Sequence, residues 1–402
     1  MKLSSIKIDN MERKPLIMEK VLITGGAGFI GNIIVKKLHK EYEVVVLDNF
    51  TTQIHGDNYK ESYLYQNIKD KCKIIKGDVR SDEDVTKALQ DVDYIIHLAS
   101  ETGTGQSMYE INRYTDINIM GTSNLFEVIL KNNLAVKKII LASSRSVYGE
   151  GMYFCKEHGI VVPNSRKIED MKRGDFEVKC PVCAGEVELR YTTEDCTLTP
   201  ISFYAYTKLA QEKMLEVMCP TMNIPYTIFR YQNVYGAGQS LSNPYTGILS
   251  IFSKLLLQNQ NLNIFEDGKE SRDFIHVSDV AKITCNALKN EATNYQHINV
   301  GNGENISVIK VAETLKRLYA SDSEIKISGD FRKGDIRHNI ADISKGKKLC
   351  SFVPDYNFEK GMEEFTAWVK KQHKENKLEK SDVRFEHSLE EMKAAGMLIQ
   401  GE

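Results

Sequence analysis

The chain has 402 residues, 42% hydrophobic and 27% charged, which suits one large α/β unit with a smaller lobe, or two domains. Its 53 lysines and arginines nearly balance 55 aspartates and glutamates, so the net charge of -2 gives no indication of a nucleic-acid partner. The sequence lacks both a membrane-length apolar run and the apolar core of a signal peptide, which predicts a cytoplasmic protein without a membrane partner. Eight scattered cysteines are too few for a disulfide scaffold, which leaves metal binding as their other use.

A glycine-rich turn follows the first clearly apolar run. Residues 20–24 have the pattern of a strand, Gly25, Gly28 and Gly31 follow at three-residue spacing, and apolar residues then recur with helical periodicity. Glycines let a ligand approach the backbone, and the free amides at the start of a helix attract phosphate. The turn therefore predicts a dinucleotide cradle, although the spacing alone also fits a plain strand-turn-helix connection.

Asp48 strengthens the dinucleotide interpretation. It ends a second apolar run, 43–47, at the place after the glycine turn where the dinucleotide fold has a ribose-binding carboxylate. A carboxylate there accepts hydrogen bonds from the adenosine ribose hydroxyls and repels a phosphate on that ribose. The sequence therefore predicts NAD, rather than NADP, as the cofactor.

The alternation of strand and helix continues beyond this point. The predicted elements are a strand at 73–78, a helix at 81–90 capped by Ser81, a strand at 92–99, a helix at about 109–131 and a strand at 138–142. Because each strand is followed by a helix, the predicted fold class is α/β, with a Rossmann-type doubly wound parallel sheet. Asp78 follows its strand directly, where it either accepts from an adenine amino group or caps the helix at Ser81.

The remaining chain alternates less regularly, which predicts a smaller C-terminal lobe. Helices are expected at 248–258, near Val277, near Val308 and at about 365–371, with a strand near Ile264. The predicted segments are an N-terminal extension (1–19), an NAD-binding domain (20–225) with a Cys/His insertion (151–197), a substrate lobe (226–371) partly interleaved with the sheet, and a charged, peripheral C-terminal tail (372–402).

The insertion contains two pairs of candidate metal ligands. Cys155 and His158 form one pair and Cys180 and Cys183 the other, each separated by two residues. Such pairs are typical of a zinc ribbon, in which two turns converge on one tetrahedral ion, and the insertion has too few apolar residues to form a core without it. We expect a structural zinc, with Cys196 as substitute if His158 points away; free thiols in a surface loop are the alternative.

Two further motifs carry candidate catalytic groups. Ser143 and Ser144 end the strand at 138–142, where hydroxyls either face a ligand or satisfy turn amides. Tyr204 and Lys208 lie four residues apart at the start of a helix that runs to about residue 218, which puts both on one helical face. We expect the ammonium to lower the pKa of the phenol by stabilising its phenolate.

In this order the motifs resemble the extended short-chain dehydrogenase/reductase family and, within it, the nucleotide-sugar epimerases. The similarity covers about residues 20–370, and segments 101–108 and 143–151 with the insertion look like the dTDP-L-rhamnose 4-epimerase type. It implies cofactor contacts from Gly25, Gly28, Phe29, Ile30, Gly31, Asp48, Asn49, Asp78, Val79, Leu98, Ala99 and Lys208. It implies substrate contacts from Thr102, Gly103, Ser144, Arg145, Asn233, Arg272, Arg332 and Asp335. For the last three of these, surface ion pairs are the alternative.

The resemblance also narrows the reaction. Related dehydratases have an Asp-Glu pair after the catalytic hydroxyl residue, where this chain has Arg145 and Ser146, and the glutamate of related decarboxylases is missing. We therefore expect redox-neutral epimerisation of a dTDP- or UDP-linked hexose or deoxyhexose by a homodimer. Tyr204 would take the proton of the sugar hydroxyl, Ser144 would bind the same oxygen, and Lys208 would hold the nicotinamide ribose. The alternatives are a dehydrogenase or ketoreductase with net NAD turnover, or a non-catalytic dinucleotide-binding protein.

Overall fold

The computed structural model describes residues 18–241, 243, 247–375 and 383–401. Its strands are β1 (Lys20–Thr24), β2 (Glu43–Asp48), β3 (Lys73–Lys76), β4 (Tyr94–His97), β5 (Lys138–Ser144), β6 (Tyr153–Cys155), β7 (Gly159–Val161), β8 (Glu188–Leu189), β9 (Tyr226–Tyr231), β10 (Asn233–Tyr235), β11 (Leu262–Ile264), β12 (Ser271–Arg272), β13 (Phe274–His276), β14 (Gln296–Val300), β15 (Ile306–Ser307), β16 (Ile325–Ile327), β17 (Phe331–Arg332), β18 (His338–Asn339) and β19 (Leu398–Ile399).

The α-helices are α1 (Phe29–Leu38), α2 (Thr52–His55), α3 (Tyr63–Ile68), α4 (Asp82–Ala88), α5 (Thr104–Ser107), α6 (Ile111–Tyr114), α7 (Gly121–Lys131), α8 (Ile168–Lys172), α9 (Phe203–Thr221), α10 (Ile248–Leu257), α11 (Val277–Asn286), α12 (Val308–Tyr319), α13 (Ser344–Cys350), α14 (Phe358–Lys374) and α15 (Val383–Ala394). Among the described residues, no helix combines the length and apolar character needed to cross a bilayer.

Seven strands form one sheet in the order β14-β9-β5-β4-β1-β2-β3, and every neighbouring pair is parallel. The chain starts at β1 and winds outward to β2 and β3 on one side and to β4 and β5 on the other. The register pairs Thr24 with both Leu47 and His97, so the carboxyl ends of the central strands meet at one edge. The predicted α/β class with a parallel sheet is confirmed.

Helices cover both faces of this sheet. Successive residues of a strand point to opposite faces, so Val21 and Ile23 pack with α1 and α11, whereas Leu22 packs with α4, α7 and α9. Because both faces are buried, the strands are continuous apolar runs rather than alternating ones. This is why the strands could be found in the sequence.

The helix expected at 109–131 is interrupted by a π-helical turn. Residues Thr115–Met120 form this turn between α6 and α7. It places the buried Asn118 so that its Oδ1 accepts from the Glu101 amide at 2.7 Å and its Nδ2 donates to the Thr207 hydroxyl at 2.9 Å. The turn therefore ties the segment after β4 to α9, and π-turns of this kind are frequent at functional sites.

The insertion has structure of its own. β6, β7 and β8 form an antiparallel sheet in the order β7-β6-β8, and α8 follows β7 in the chain. Arg166 donates to the Glu266 carboxylate at 2.7 and 2.8 Å, and the fully buried Arg337 donates to Glu177 and Asp267. Breaking a buried ion pair leaves an uncompensated charge, so this network fixes the insertion firmly to the C-terminal lobe.

The C-terminal lobe has a separate apolar core between α10, α12 and α14. α14 is longer than the predicted helix because buried Phe358, Met362, Phe365 and Val369 recur at helical spacing along its whole length. The part of the expected peripheral tail that the structure describes contains α15 and β19, and β19 pairs antiparallel with β17 of the lobe.

Candidate active site

A cleft of about 460 Å³ opens where the carboxyl ends of β1, β2, β4, β5 and β9 meet. Ligands of open parallel sheets bind at this edge. The residues expected to bind cofactor or substrate that line the cleft are Gly25, Gly28, Phe29, Ile30, Gly31, Asp48, Asn49, Val79, Leu98, Ala99, Thr102, Gly103, Ser144, Arg145, Tyr204, Lys208 and Asn233.

Close packing explains the glycines at the cofactor end of the cleft. Gly25 has φ +67°, and a Cβ there would lie 2.8 Å from the Ala99 amide nitrogen. A Cβ on Gly31 would lie 2.6 Å from the Gly26 Cα, so the turn and α1 could not approach each other. α1 begins at Phe29, directly after Gly28, and its first amides point toward the cleft. This backbone fits the diphosphate of a dinucleotide.

Asp48 lies beside this turn at the end of β2. Its Oδ2 accepts from the Ala27 amide at 3.0 Å and its Oδ1 from the Phe50 amide at 2.9 Å. Burial raises the pKa of Asp48 to about 6, against the lowering effect of these two hydrogen bonds. A carboxylate has about four acceptor positions, so Asp48 retains capacity for ribose hydroxyls. The residues present therefore fit NAD.

The two serines that end β5 have different roles. Ser143 is buried and donates to Glu212 Oε1 at 2.5 Å. Ser144 lies in the cleft together with Tyr204, and its hydroxyl accepts from the Ser146 amide at 3.2 Å. Ser144, rather than Ser143, is therefore placed to contact a reacting group.

Tyr204 lies in the first turn of α9, which Ser202 caps by accepting from the Ala205 amide at 3.2 Å. Burial raises the pKa of the phenol, and the Ser144 hydroxyl and the positive charge of Arg145 oppose that effect without reversing it. Lys208 lies one turn further along and donates to Gln211 Oε1 at 2.6 Å. The expected lowering of the phenol pKa by the Lys208 ammonium is therefore not observed, because burial outweighs the opposing effects and the ammonium is held by its own helix.

The support around Lys208 was missed from the sequence. Burial lowers the pKa of Lys208 to about 7, against the opposing charge of Glu212. Gln211, which accepts from Lys208, donates in turn to the Thr122 hydroxyl at 2.7 Å. Lys208, Gln211, Glu212 and Leu215 share one face of α9, and polar residues on a core-facing stripe are the signal that could have indicated this network.

A second missed residue holds the substrate end of the cleft. The hydroxyl of the buried Tyr114 donates to the carbonyl oxygens of Thr102 and Gly103, at 2.7 and 3.0 Å. Its ring packs edge-on against Tyr204, with 6.4 Å between the ring centroids. The loop after β4 and the candidate catalytic tyrosine are therefore positioned by the same side chain.

Arg145 projects into the cleft beside Asn233. Its Nε donates to Asn233 Oδ1 at 2.8 Å, and burial, followed by the charge of Arg272, lowers its pKa to about 9. A guanidinium has no acceptor, so this contact turns the amide oxygen of Asn233 toward Arg145. The NH₂ group of Asn233 is then left to donate to a ligand.

Asp78 is not among the residues that line the cleft. Its carboxylate pairs with the Arg80 guanidinium at 2.8 Å and accepts from the Arg80 amide at 2.9 Å. The cap of α4 comes instead from Ser81, whose hydroxyl accepts from the Asp84 amide at 3.2 Å. The Asp78 side chain therefore does not cap the helix, whereas the predicted cap by Ser81 is observed.

Arg272, Arg332 and Asp335 also stand outside the cleft lining. Arg272 donates to backbone oxygens, including Ile336 O at 2.8 Å, and Arg332 pairs with Asp335 at 3.4 Å. The charges of Arg272 and Asp335 nevertheless act on Arg145. These residues therefore form the rim of the cleft next to its substrate end.

The four candidate metal ligands of the insertion converge. Their ligand atoms all lie within 4.8 Å of one another, with Cys155 Sγ 3.5 Å from His158 Nδ1 and 3.8 Å from Cys183 Sγ. Cys180 Sγ is 3.7 Å from the same His158 nitrogen. Cys196 is elsewhere, donating to Thr197 O. The residues present fit a tetrahedral S₃N ion site.

One end of the cleft has a glycine turn with an adjacent acid, and the other end has a serine, a tyrosine and a lysine. This arrangement is typical of a dinucleotide-dependent enzyme of the dehydrogenase type. The chain belongs to the NAD dependent epimerase/dehydratase family, whose model matches residues 21–165 and 182–301. The interruption of the match falls within the insertion.

Individual relatives agree with this family. A dTDP-L-rhamnose 4-epimerase of Burkholderia thailandensis is 35% identical over 354 residues, covering 87% of this chain and 95% of the relative. The crystal structure of a UDP-glucuronic acid 4-epimerase from Bacillus cereus, in complex with UDP-glucuronic acid and NAD, is 27% identical with a TM-score of 0.70, covering 88% of this chain and 99% of that one. A UDP-N-acetylglucosamine 4-epimerase from Methanobrevibacter ruminantium is 30% identical with a TM-score of 0.69 and the same coverage. The prediction of an NAD-dependent nucleotide-sugar epimerase is confirmed.

Proposed function

We propose that this protein inverts the 4-hydroxyl of a dTDP- or UDP-linked hexose or deoxyhexose, through transient oxidation to a 4-keto sugar. The single observation that carries the proposal is that Ser144, Tyr204 and Lys208 line the same cleft as the glycine turn and Asp48. The three relatives described above are named as sugar-nucleotide 4-epimerases, which supports the choice of carbon.

Each residue at the substrate end has a role in this reaction. Tyr204, as phenolate, takes the proton of the sugar hydroxyl and returns it to the oxygen after the sugar has turned over. Ser144 donates to the same oxygen, and Lys208 holds the nicotinamide ribose. NAD, when bound, supplies the hydride acceptor for the oxidation and the hydride donor for the reduction. Asp48 would bind the adenosine ribose. Because the hydride taken from the sugar is returned to it, no net cofactor is consumed.

Arg145 supports epimerisation rather than elimination. The position after Ser144 is occupied by a cation whose guanidinium is engaged with Asn233, so that position supplies neither the acid nor the base that loss of water would require. Its charge also opposes the effect of burial on the Tyr204 phenol. Arg145 therefore favours the phenolate that proton abstraction needs, while Asn233 is oriented to donate to the substrate diphosphate.

The experiment is a product analysis by NMR with dTDP, UDP and GDP sugars as a panel. We expect an equilibrium mixture of 4-epimers from one of the dTDP or UDP sugars. Absorbance at 340 nm should show no accumulation of NADH, and the protein should need no further NAD once it has been loaded with the cofactor. Stoichiometric NADH without an epimer would instead identify a dehydrogenase.

We also infer that the insertion binds one structural zinc ion. The three thiols and one imidazole within 4.8 Å of one another provide four ligands and no open position for a substrate. Zinc would hold β6 and the turn at 180–183 together, and the insertion is in turn fixed to the lobe by Arg166 and Arg337.

Homodimerisation is the last part of the proposal. α6, the π-turn, α7 and α9 leave large apolar side chains exposed, on Ile111, Met120, Leu130, Tyr206 and Val217. α7 and α9 pack side by side, and an exposed apolar surface of this kind is typical of a protein interface. Two copies would bury it by pairing their helices.

A further inference from the structure

The last described segment of the chain contacts both β17 of the C-terminal lobe and α5. We name residues 383–401, comprising α15 and β19, the C-terminal clasp. The match to the family model ends at residue 301, before the clasp begins.

One end of the clasp holds the strand that carries Arg332. β19 pairs antiparallel with β17, with Leu398 opposite Arg332, and the Lys333 amide donates to Met397 O at 2.8 Å. β17 and β19 form a two-stranded sheet by themselves in the described part of the chain. Without β19, this short segment would lose its strand partner.

The same end joins the insertion. Ile399 packs on a small core of Met171, Phe176 and Phe331, of which the first two belong to the insertion and the third to β17. Arg166 of the insertion also donates to Asp335 O at 2.8 Å. The loop that carries Arg332 and Asp335 is thus held on one side by the insertion and on the other by the clasp.

The other end of the clasp lies on the opposite wall of the cleft. The Tyr109 hydroxyl donates to Glu391 at 3.2 Å, and Met392, only 4% exposed, lies with its sulfur 3.5 Å from where a Cβ on Gly105 would be. Gly105 belongs to α5, which follows Thr102 and Gly103 of the cleft lining. Ser107, also in α5, accepts from the Tyr204 amide at 2.9 Å.

We infer that the clasp determines nucleotide-sugar affinity by holding the loop of Arg332 and Asp335 against α5. The inference rests on the proposed function and on the family resemblance, which implies substrate contacts from Arg332 and Asp335. The clasp acts on positioning rather than chemistry, because its described contacts are with the loops that flank Tyr204 and not with Ser144, Lys208 or the glycine turn. Substrate binding should therefore depend on it, whereas NAD binding should not.

The test uses the full chain, a deletion of residues 383–402, and two single substitutions, Met392→Asp and Ile399→Asp, that release one end each. The matched control is Lys393→Ala, an exposed change on the same helix. Isothermal titration calorimetry with dTDP, UDP and NAD gives the affinities, steady-state kinetics give KM and kcat, and thermal melting reports stability.

We expect the deletion to raise the Kd for the nucleotide diphosphate and the KM for the sugar nucleotide by about tenfold, a loss of about 1.4 kcal/mol of binding. The two single substitutions should show a smaller rise. NAD affinity and kcat should stay within about twofold of the full chain, since a lost positioning contact removes ground-state binding. Lys393→Ala should behave like the unmodified chain.

Two outcomes would overturn the inference, and they are distinguishable. If the full chain binds dTDP or UDP and the deletion binds it equally well, the clasp has no role in affinity even if the melting temperature falls. If the full chain binds neither nucleotide, the inference falls together with the proposed function.

Discussion

The two ends of the cleft are built in different ways. The cofactor end comes mainly from one continuous stretch, because Gly25 follows β1, Gly31 lies in α1 and Asp48 ends β2, which are consecutive elements of the chain. The substrate end is assembled from the loop after β4, the end of β5, the start of α9 and segments of the C-terminal lobe. A site made by consecutive elements can be found from spacing, whereas one made by distant segments depends on tertiary contacts that spacing does not encode.

The largest expected effect is on catalysis at the substrate end, with cofactor binding at the other end unchanged. Tyr204→Phe removes only the proton-transferring oxygen, so we expect kcat to fall by about 10²- to 10⁴-fold with NAD affinity unchanged. Steady-state kinetics and NAD titration measure the two quantities. Tyr206→Phe is the matched control, since Tyr206 lies on the same helix and is 54% exposed. Full activity in Tyr204→Phe would remove the tyrosine from the mechanism.

The second prediction concerns the insertion, which belongs to the substrate end alone. The double variant Cys180→Ser/Cys183→Ser should lose about one zinc per chain, because two of the four ligands are gone. We expect higher KM and local loosening by hydrogen exchange between residues 151 and 197, with the sheet and NAD binding intact. Cys196→Ser, which changes a thiol outside the cluster, should retain the metal. Zinc retained by the double variant, measured by elemental analysis, would contradict the assignment.

The features that the sequence could predict differ in the same way from those that it could not: the first depend on local sequence and the second on distant segments. The parallel sheet and the Ser81 cap come from continuous apolar runs and local hydrogen bonds, and both were predictable. The π-turn at Thr115–Met120 and the hydrogen bond from Gln211 to Thr122 that supports Lys208 were not, because each depends on a partner from another element.

Motif similarity also could not predict contacts with distant segments at the rim of the cleft. Arg272 was expected to contact substrate, but its guanidinium donates to backbone oxygens of the lobe. The short strand β19 was also missed, since two residues carry no periodicity and the strand exists only by pairing with β17. The substrate contact of Arg272 stays a prediction, and both positions have surroundings that are set by chain segments far away in sequence.

The third prediction concerns the pH dependence of NAD binding at the cofactor end. Burial raises the pKa of Asp48 to about 6, so the carboxylate that accepts from the ribose is ionised at pH 7.5 and becomes protonated as the pH falls below 6. Protonation removes acceptor capacity, so NAD affinity should fall between about pH 7 and pH 5, by up to about tenfold for a charge-assisted hydrogen bond. Asp48→Asn should bind NAD weakly and with little dependence on pH in this range. An unchanged pH dependence in that variant would assign the titration to another group.

The smallest expected effect on the cleft is that of a substitution on the exposed face of α9. Val217 is 64% exposed on α9, so a charge there meets water in a monomer and an apolar partner in the proposed dimer. Val217→Glu should therefore shift the sedimentation velocity toward the monomer while NAD affinity stays unchanged, because the buried face of α9 carries Lys208 and Gln211 and is not altered. Ile327→Glu, a matched change at a side chain 55% exposed in the C-terminal lobe, should leave the oligomer intact. If both variants sediment like the unmodified chain, these helices are not the interface. If Val217→Glu dissociates the dimer and weakens NAD binding as well, the cofactor end depends on a partner subunit. The cofactor end would then not be formed by consecutive elements of one chain alone.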